Sequence, residues 1–285
     1  MLNDPFQMQR ELRYGAPVCD QVLTGRYFTI GYSWYFRQAK WALEIVNRGR
    51  ELATDLPAVD RMDNFRADLR VPGRFRAGLG RYKGSGYDRG HLVASANANF
   101  GSIFNSETFL LTNMSPQHPD LNRRMWKDLE DATRQLDAQK DILETYVLSC
   151  PVFFFNQPVK TMGTENDDMG VAVPIPHAFV KSVLAEDNRG ALHLWTFAMK
   201  NEKLSGKLED YLINTYDAEE LVGGRFWDRV AGGDIHQQKM AKGKMWPYKL
   251  GGGRKKPVEP VEPVEAGDSA AASAEPRRVE AEVKG

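Results

Sequence analysis

Three features of this 285-residue chain predict an α+β fold. Six short runs rich in β-branched and aromatic residues, each bounded by turn residues, have the character of strands. Their spacing suits an antiparallel or mixed sheet, and two further segments carry helical signals strong enough to pack on it. Residues 1–250 contain no internal repeat and no second linker, which predicts one domain there.

The elements follow in order. "RYFTIGYSWYF" at 26–36 and "WALEIVNR" at 41–48 are expected as the first strands, with "TFLLTN" at 108–113 as the next. "ETYVLSCPVFFF" at 144–155, "HAFVKSVLAE" at 177–186 and "ALHLWTFAMK" at 191–200 complete the set, and Phe153 to Phe155 read as core strand. Asp120 to Gln139 places Leu121, Met125, Leu129, Ala132 and Leu136 at helical spacing. A second helix is expected in "YDAEELVGGRFWDRV", where Asp217 and Glu220 have the spacing of a capping box.

Composition sets limits on function. With 42% hydrophobic and 11% aromatic residues the chain can bury a full core. Its 38 basic and 38 acidic residues cancel, so no whole-molecule field draws it to nucleic acid or to an anionic membrane. Any polyanion site must be local. Cys19 and Cys150 are too few for a disulfide framework or a paired metal-ligand pattern and read as small buried residues. The opening "MLNDPFQMQRELRYG" has no apolar run of the signal-peptide kind, and no stretch approaches the ~18 apolar residues of a membrane span. A cytoplasmic protein without membrane association is therefore expected. Residues 251–285, with "PVEPVEPVE" and no aromatic side chain, read as a disordered Pro/Glu/Ala-rich tail or linker beyond a domain of 1–250.

Candidate chemistry gathers in "GYDRGHLVASANANFG", 86–101. Gly90 would let the backbone turn tightly and present His91, at the start of "HLVASA", on an edge. A neutral imidazole there can take a proton from water near neutral pH, and Asp88 is placed to orient that ring or to pair with Arg89. Downstream, "TNMSPQHPDLNRRMWKDLED" supplies the amides Asn113 and Asn122. Asn122, Trp126, Glu130 and Arg134, four residues apart, form one slowly turning helix stripe. An amide oxygen and a carboxylate suit a hard cation such as Mg²⁺. Because a regular helix rises ~12 Å over eight residues, Asn122 and Glu130 can share one hydrated ion only if Asn122 stands at a bend or end of the helix, or if Glu130 acts through water. Residues 61–91 hold eight Lys or Arg against three Asp, a local source of phosphate contacts. His118, His177, His193 and His236 read as packing or surface residues.

Taken in order, "DRGH", "TNMSPQ" and "LN...W..LE", over the 43 residues from Asp88 to Glu130, resemble the DNA/RNA non-specific endonuclease family, which includes secreted bacterial nucleases and mitochondrial endonuclease G. "YFTIGYSWYFRQAKWALEIVNR", "MDNFRAD" and "LEDYLINTYDAEELVGGRFWDRV" extend the resemblance to about residues 20–232. It implies a ββα-metal (His-Me finger) nuclease core within a mainly antiparallel sheet packed by helices. His91 matches the general base, Asn122 the single direct ligand of Mg²⁺, and Glu130 the acid that binds a metal-bound water. Asn113 and Arg134 match residues that position the phosphate or the metal shell, and Asp88 and Arg89 complete the signature. Arg61 and Arg66 compete for the place of an upstream phosphate-binding arginine, and Arg123 and Arg124 lie where they can touch substrate.

The resemblance implies Mg²⁺-dependent hydrolysis of DNA and RNA to 5′-phosphate ends, with Mn²⁺ as an alternative ion. It allows a homodimer. A nonspecific nuclease also needs control, so an inhibitor or regulatory partner reached through the C-terminal tail is expected. Two rival readings keep the fold: a catalytically silent nucleic-acid-binding protein, and a phosphodiesterase acting on another ester.

Overall fold

The computed structural model describes residues 9–46, 57–163 and 172–250. The expected tail, and Asn47 and Arg48 of the expected second strand, lie outside the described residues. In chain order the strands are β1 (Gln21–Thr24), β2 (Phe28–Ser33), β3 (Gln38–Ile45), β4 (Asp88–His91), β5 (Met114–Gln117), β6 (Ile142–Val152), β7 (Thr161–Met162), β8 (Val173–Pro174), β9 (Ala178–Asp187), β10 (Leu192–Lys200) and β11 (Leu212–Ile213). The helices are α1 (Ser102–Thr108), α2 (Lys127–Asp137), α3 (Thr215–Val222) and α4 (Gly233–Met240).

Seven strands pair antiparallel in the order β1-β2-β3-β6-β9-β10-β11. Strand alternation divides its side chains between two faces. Phe28, Ile30, Val147, Phe179, Val183 and Phe197 pack with Leu121, Trp126, Leu129, Ala132 and Leu136. Trp41, Leu43, Tyr146, Leu148, Val180 and Leu184 pack on the other side with Ala218, Phe226, Trp227 and Ile235. Both faces are therefore buried, which is why these strands read as nearly continuous apolar runs. Leu129 has no exposed surface, and cutting it to alanine should cost about 3 kcal/mol. Gly31 lets the sheet close over Trp41: a Cβ there would lie 2.0 Å from the indole Cε2.

The α+β reading and the mainly antiparallel sheet stand, with local corrections. "TFLLTN" is no strand: Thr108 ends α1 and Leu111–Asn113 form a 3-10 turn. Its apolar residues are buried as strand residues would be, but the Asn113 side chain bonds the backbone of Val93 and Thr108, which favours a turn over a ladder. The expected helix from Asp120 opens as a π-helical turn, Leu121–Trp126, before α2. The α3 cap is Asn214, which accepts from Asp217 N–H, one turn ahead of the expected Asp217/Glu220 pair. Gly223 ends α3 in the left-handed region at φ 66°, so Phe226 and Trp227 are buried outside any helix. Phe155 is exposed and stacks on Phe36, leaving Phe153 buried and Phe154 packed against the core.

Candidate active site

Two short strands and one helix build the site. β4 pairs antiparallel with β5, His91 opposite Met114 and Asp88 opposite Gln117. The chain then enters the π-helical turn and α2. Gly90 does not turn the backbone as its position in the motif predicts; it lies in extended β4, and its lack of a side chain admits Gln117, whose Oε1 would be 2.0 Å from a Cβ there. His91 accordingly ends a strand rather than starting one. Ser115 Oγ donates to Gln38 Oε1 at 2.6 Å, which ties this hairpin to β3.

His91 is 9% exposed, and its Nε2 has no hydrogen-bond partner among the described residues. Burial, then the positive charges of Arg61 and Arg89, push its pKa down to about 3. The ring is neutral at pH 7. Two phenyl rings hold it edge-on, Phe109 at 4.9 Å and Phe65 at 5.8 Å between centroids. Each phenyl also carries an arginine: Arg61 lies 4.8 Å from the Phe109 centroid and Arg89 4.1 Å from that of Phe65. Such cation–π contacts place two cations beside the imidazole without an ion pair to it. Arg61 is held further by Ser95 Oγ and Asp63, whereas Arg66 turns away to the carbonyls of Asn64 and Ser106. Of the two competing arginines, Arg61 is the one beside His91.

Asp88 neither orients His91 nor pairs with Arg89. Its carboxylate accepts from Asn122 Nδ2 at 2.9 Å and from Arg123 Nε and Nη2 at 2.8 and 2.7 Å. Since a carboxylate can only accept, this bond assigns Nδ2 and leaves Oδ1 as the amide atom not bonded to Asp88. Asn122 stands near the start of the helical segment, in its π-helical turn, and Glu130 follows in α2. Trp126, expected on the same polar stripe, is instead 1% exposed and donates from Nε1 to the carbonyl of His91 at 3.2 Å.

Glu130 is half-buried; burial raises its pKa, opposed first by Lys181 and then by Arg134. Arg134 donates to Asn97 Oδ1 at 2.8 Å and pairs with Asp131. Asn113 has no exposed surface and all of its amide is spent on Val93 N–H, Val93 C=O and Thr108 C=O. The expectation of a phosphate or metal contact at Asn113 is corrected accordingly: it clamps the backbone two residues beyond His91. Arg123, expected at the substrate, is bound bidentately to Asp88.

A hard divalent cation would find the Asn122 amide oxygen and the Glu130 carboxylate, oxygen donors of the right class for Mg²⁺. Among the described residues no group of three His, Cys, Asp or Glu could hold a metal ion. A site here would use one amide ligand and the ion's own waters. The remaining histidines have other partners: His118 Nδ1 accepts from Asp120 N–H, His177 Nδ1 from Phe154 N–H, His193 meets Asp187 and His236 meets Tyr216.

Sequence reasoning missed Phe65, Phe109 and Asn97, whose contacts are purely tertiary. Lys181 carried a signal that went unused, a lone cation within an apolar strand run.

A family model for DNA/RNA non-specific endonucleases matches residues 10–232. The chain is 32% identical over 176 residues to a nuclease of Nostoc sp., covering 60% of this chain and 62% of that one. It is 30% identical to human mitochondrial endonuclease G over 74% of this chain and 71% of that one, and 30% identical to nuclease C1 of Cunninghamella echinulata over 77% and 88%. A crystal structure of EndoG with EndoGI, described as showing the mechanism of EndoG inhibition, superposes with a TM-score of 0.71 at 26% identity, covering 80% of this chain and 94% of that one. Its ββα-metal architecture is the one found here. No helix among the described residues is long and apolar enough to cross a membrane. The chain belongs to the DNA/RNA non-specific endonuclease family, metal-dependent nucleases that hydrolyse phosphodiester bonds.

Proposed function

We propose that the chain is a Mg²⁺-dependent, sugar-indifferent endonuclease that cuts DNA and RNA to 5′-phosphate and 3′-hydroxyl ends. The observation that carries this reading is the hydrogen bond from Asn122 Nδ2 to Asp88, which leaves the amide oxygen outside that contact, on the helix that follows the His91 hairpin.

A phosphodiester resists hydrolysis because its charge repels the nucleophile and its leaving alkoxide is poor. His91, neutral at pH 7, takes the proton of an attacking water. Arg61 and Arg89 receive the phosphate's negative charge. Burial is the first cause of the depressed His91 pKa and these two charges the next, so a phosphate that neutralises them raises it and makes the imidazole a stronger base. Asn122 Oδ1 would hold the divalent ion, with the Glu130 carboxylate acting on it through water. When bound, that ion supplies Lewis acidity to the phosphoryl and leaving oxygens. Arg134, fixed by Asn97 and Asp131, keeps positive charge beside Glu130.

We further propose a cytoplasmic enzyme whose nuclease domain spans 1–250, with 251–285 as a tether to an inhibitor or regulatory partner, and a homodimer as its assembly. Incubating plasmid DNA and bulk RNA with wild type, His91→Ala and Asn122→Ala, with Mg²⁺ and with chelator, tests the catalytic reading. Mg²⁺-dependent cutting of both by wild type alone supports it, and full cutting in chelator overturns it.

A further inference from the structure

The helix α2 carries Glu130 and Arg134, and its eleven residues are too few to stay helical without tertiary support. Leu129, Ala132 and Leu136 seat it on the sheet, but apolar attraction has no preferred direction, so the finer setting of the helix falls to hydrogen bonds. Trp126 just before it and Arg134 on its site face supply two of them, to the His91 carbonyl and to Asn97. Others come from the far end of the domain.

Residues 243–250 follow α4 and run over α2 as a strap without regular structure. Trp246 is 5% exposed and stands edge-on to Trp195 and Phe197 of β10, at 5.0 and 5.9 Å between centroids. Its Nε1 donates to the carbonyl of Ala132 at 2.8 Å, in the middle of α2, where a helix carbonyl has a second lone pair for such a donor. Gln135 closes a reciprocal pair with the strap: Nε2 donates to the Lys249 carbonyl at 2.9 Å, and Oε1 accepts from the Lys249 N–H at 2.8 Å. The strap is anchored in turn. The Lys244 carbonyl accepts from Trp195 Nε1 at 2.7 Å, and the Tyr248 hydroxyl donates to Glu209 at 3.0 Å. The strap thus ties α2 to β10, while Glu130 and Arg134 stand on the other side of the helix, each about 160° around its axis from Ala132.

We propose that residues 243–250 are a positioning element of the nuclease site, with Trp246 at its centre: they fix α2 from behind and so hold Glu130 and Arg134 in the reacting geometry. A shift of about 1 Å caused far from the chemistry can cost about 100-fold in rate. This rests on the reading of Glu130 and Arg134 as site residues. The strap lies past residue 232, where the match to the family ends, so membership of the family gives it no role by itself.

The test uses the full chain with Trp246→Phe, which keeps an aromatic ring but removes the donor, and Gln135→Ala, which removes both bonds to Lys249. Glu130→Ala serves as the reference for the site. kcat and KM on a DNA duplex are measured well below the melting temperature, and amide exchange is followed along α2, β6 and β9. Both strap variants are expected to lower kcat by about tenfold with KM within about twofold of wild type, and to speed exchange in α2 by about tenfold while β6 and β9 stay unchanged. A lower melting temperature with wild-type kcat and wild-type exchange in α2 would overturn the proposal and leave the strap a stabilising element only. If Trp246→Phe fails to fold, Gln135→Ala decides by the same criteria, since Gln135 is only half-buried. Full activity in Glu130→Ala would instead withdraw the reading of the site, and this proposal with it.

Discussion

Asp88 and Asn122 are joined by a 2.9 Å hydrogen bond that spans the hairpin and the helix, and the same carboxylate accepts from Nε and Nη2 of Arg123. The bond fixes which amide atom of Asn122 faces Asp88 and which does not. Asp88→Ala should therefore raise the Mg²⁺ concentration for half-maximal cleavage by about 10–100-fold, the usual effect of losing a group that orients a metal ligand. Activity should largely return at high Mg²⁺. A Mg²⁺ titration identical to wild type would separate Asp88 from the metal site.

His91 sits neutral in the fold but protonates at about 6.5 in the unfolded chain, whereas in the native protein its pKa falls to about 3. Between these values the unfolded state binds the extra proton, so this residue makes stability fall as pH falls through that window. Urea melts at pH 7 and pH 4.5 should show wild type losing roughly 2 kcal/mol more than His91→Ala on acidification. Comparing the two proteins is essential because Glu44, raised by burial to about 7, acts oppositely: its protonated native form favours folding more as pH drops toward about 4.5. Equal losses in the two proteins would mean that the native ring is not held neutral.

Arg61 and Arg66 are five residues apart, yet only Arg61 stands over a ring that touches His91. Arg61→Ala should lower kcat/KM by about 10–100-fold, as expected for one charge-assisted contact to phosphate, and should flatten the salt dependence of binding. Arg66→Ala should chiefly lower the melting temperature, since it bonds the Asn64 and Ser106 carbonyls. Measuring both variants side by side settles which is which, and a reversed pattern would reassign the phosphate contact.

Asn113→Ala should cost about 3 kcal/mol in a denaturant melt, because three buried backbone groups lose their partner. Loss of activity without loss of stability would return this residue to the reacting groups.

Most of the site was legible because it is local in sequence. Residues 88–91, 114–117 and 121–137 lie close together in sequence, and their motifs carry the family resemblance that gave His91, Asn122 and Glu130 their expected roles. Helical periodicity gave the Leu121, Leu129 and Leu136 face for the same reason. It could not give the π-helical turn, which adds no distinctive pattern, nor the inward turn of Trp126. The choice between Arg61 and Arg66 was not legible, since they lie outside regular elements, where no period says which way a side chain points. Phe65 and Phe109 meet His91 only through tertiary packing. "TFLLTN" misled because burial gives strand and turn residues the same apolar composition, and only the Asn113 hydrogen bonds tell them apart.

The roles assigned to His91 and Asn122 require an external water as nucleophile, so the 2′-hydroxyl of RNA has no chemical task. Product-end analysis after Mg²⁺-supported digestion of matched DNA and RNA tests this directly. Both substrates should be cut, leaving 5′-phosphate and 3′-hydroxyl ends, with His91→Ala slower by two orders of magnitude or more on each. RNA products ending in 2′,3′-cyclic phosphate, with DNA left intact under the same conditions, would show that the ribose attacks and that the assigned roles are wrong.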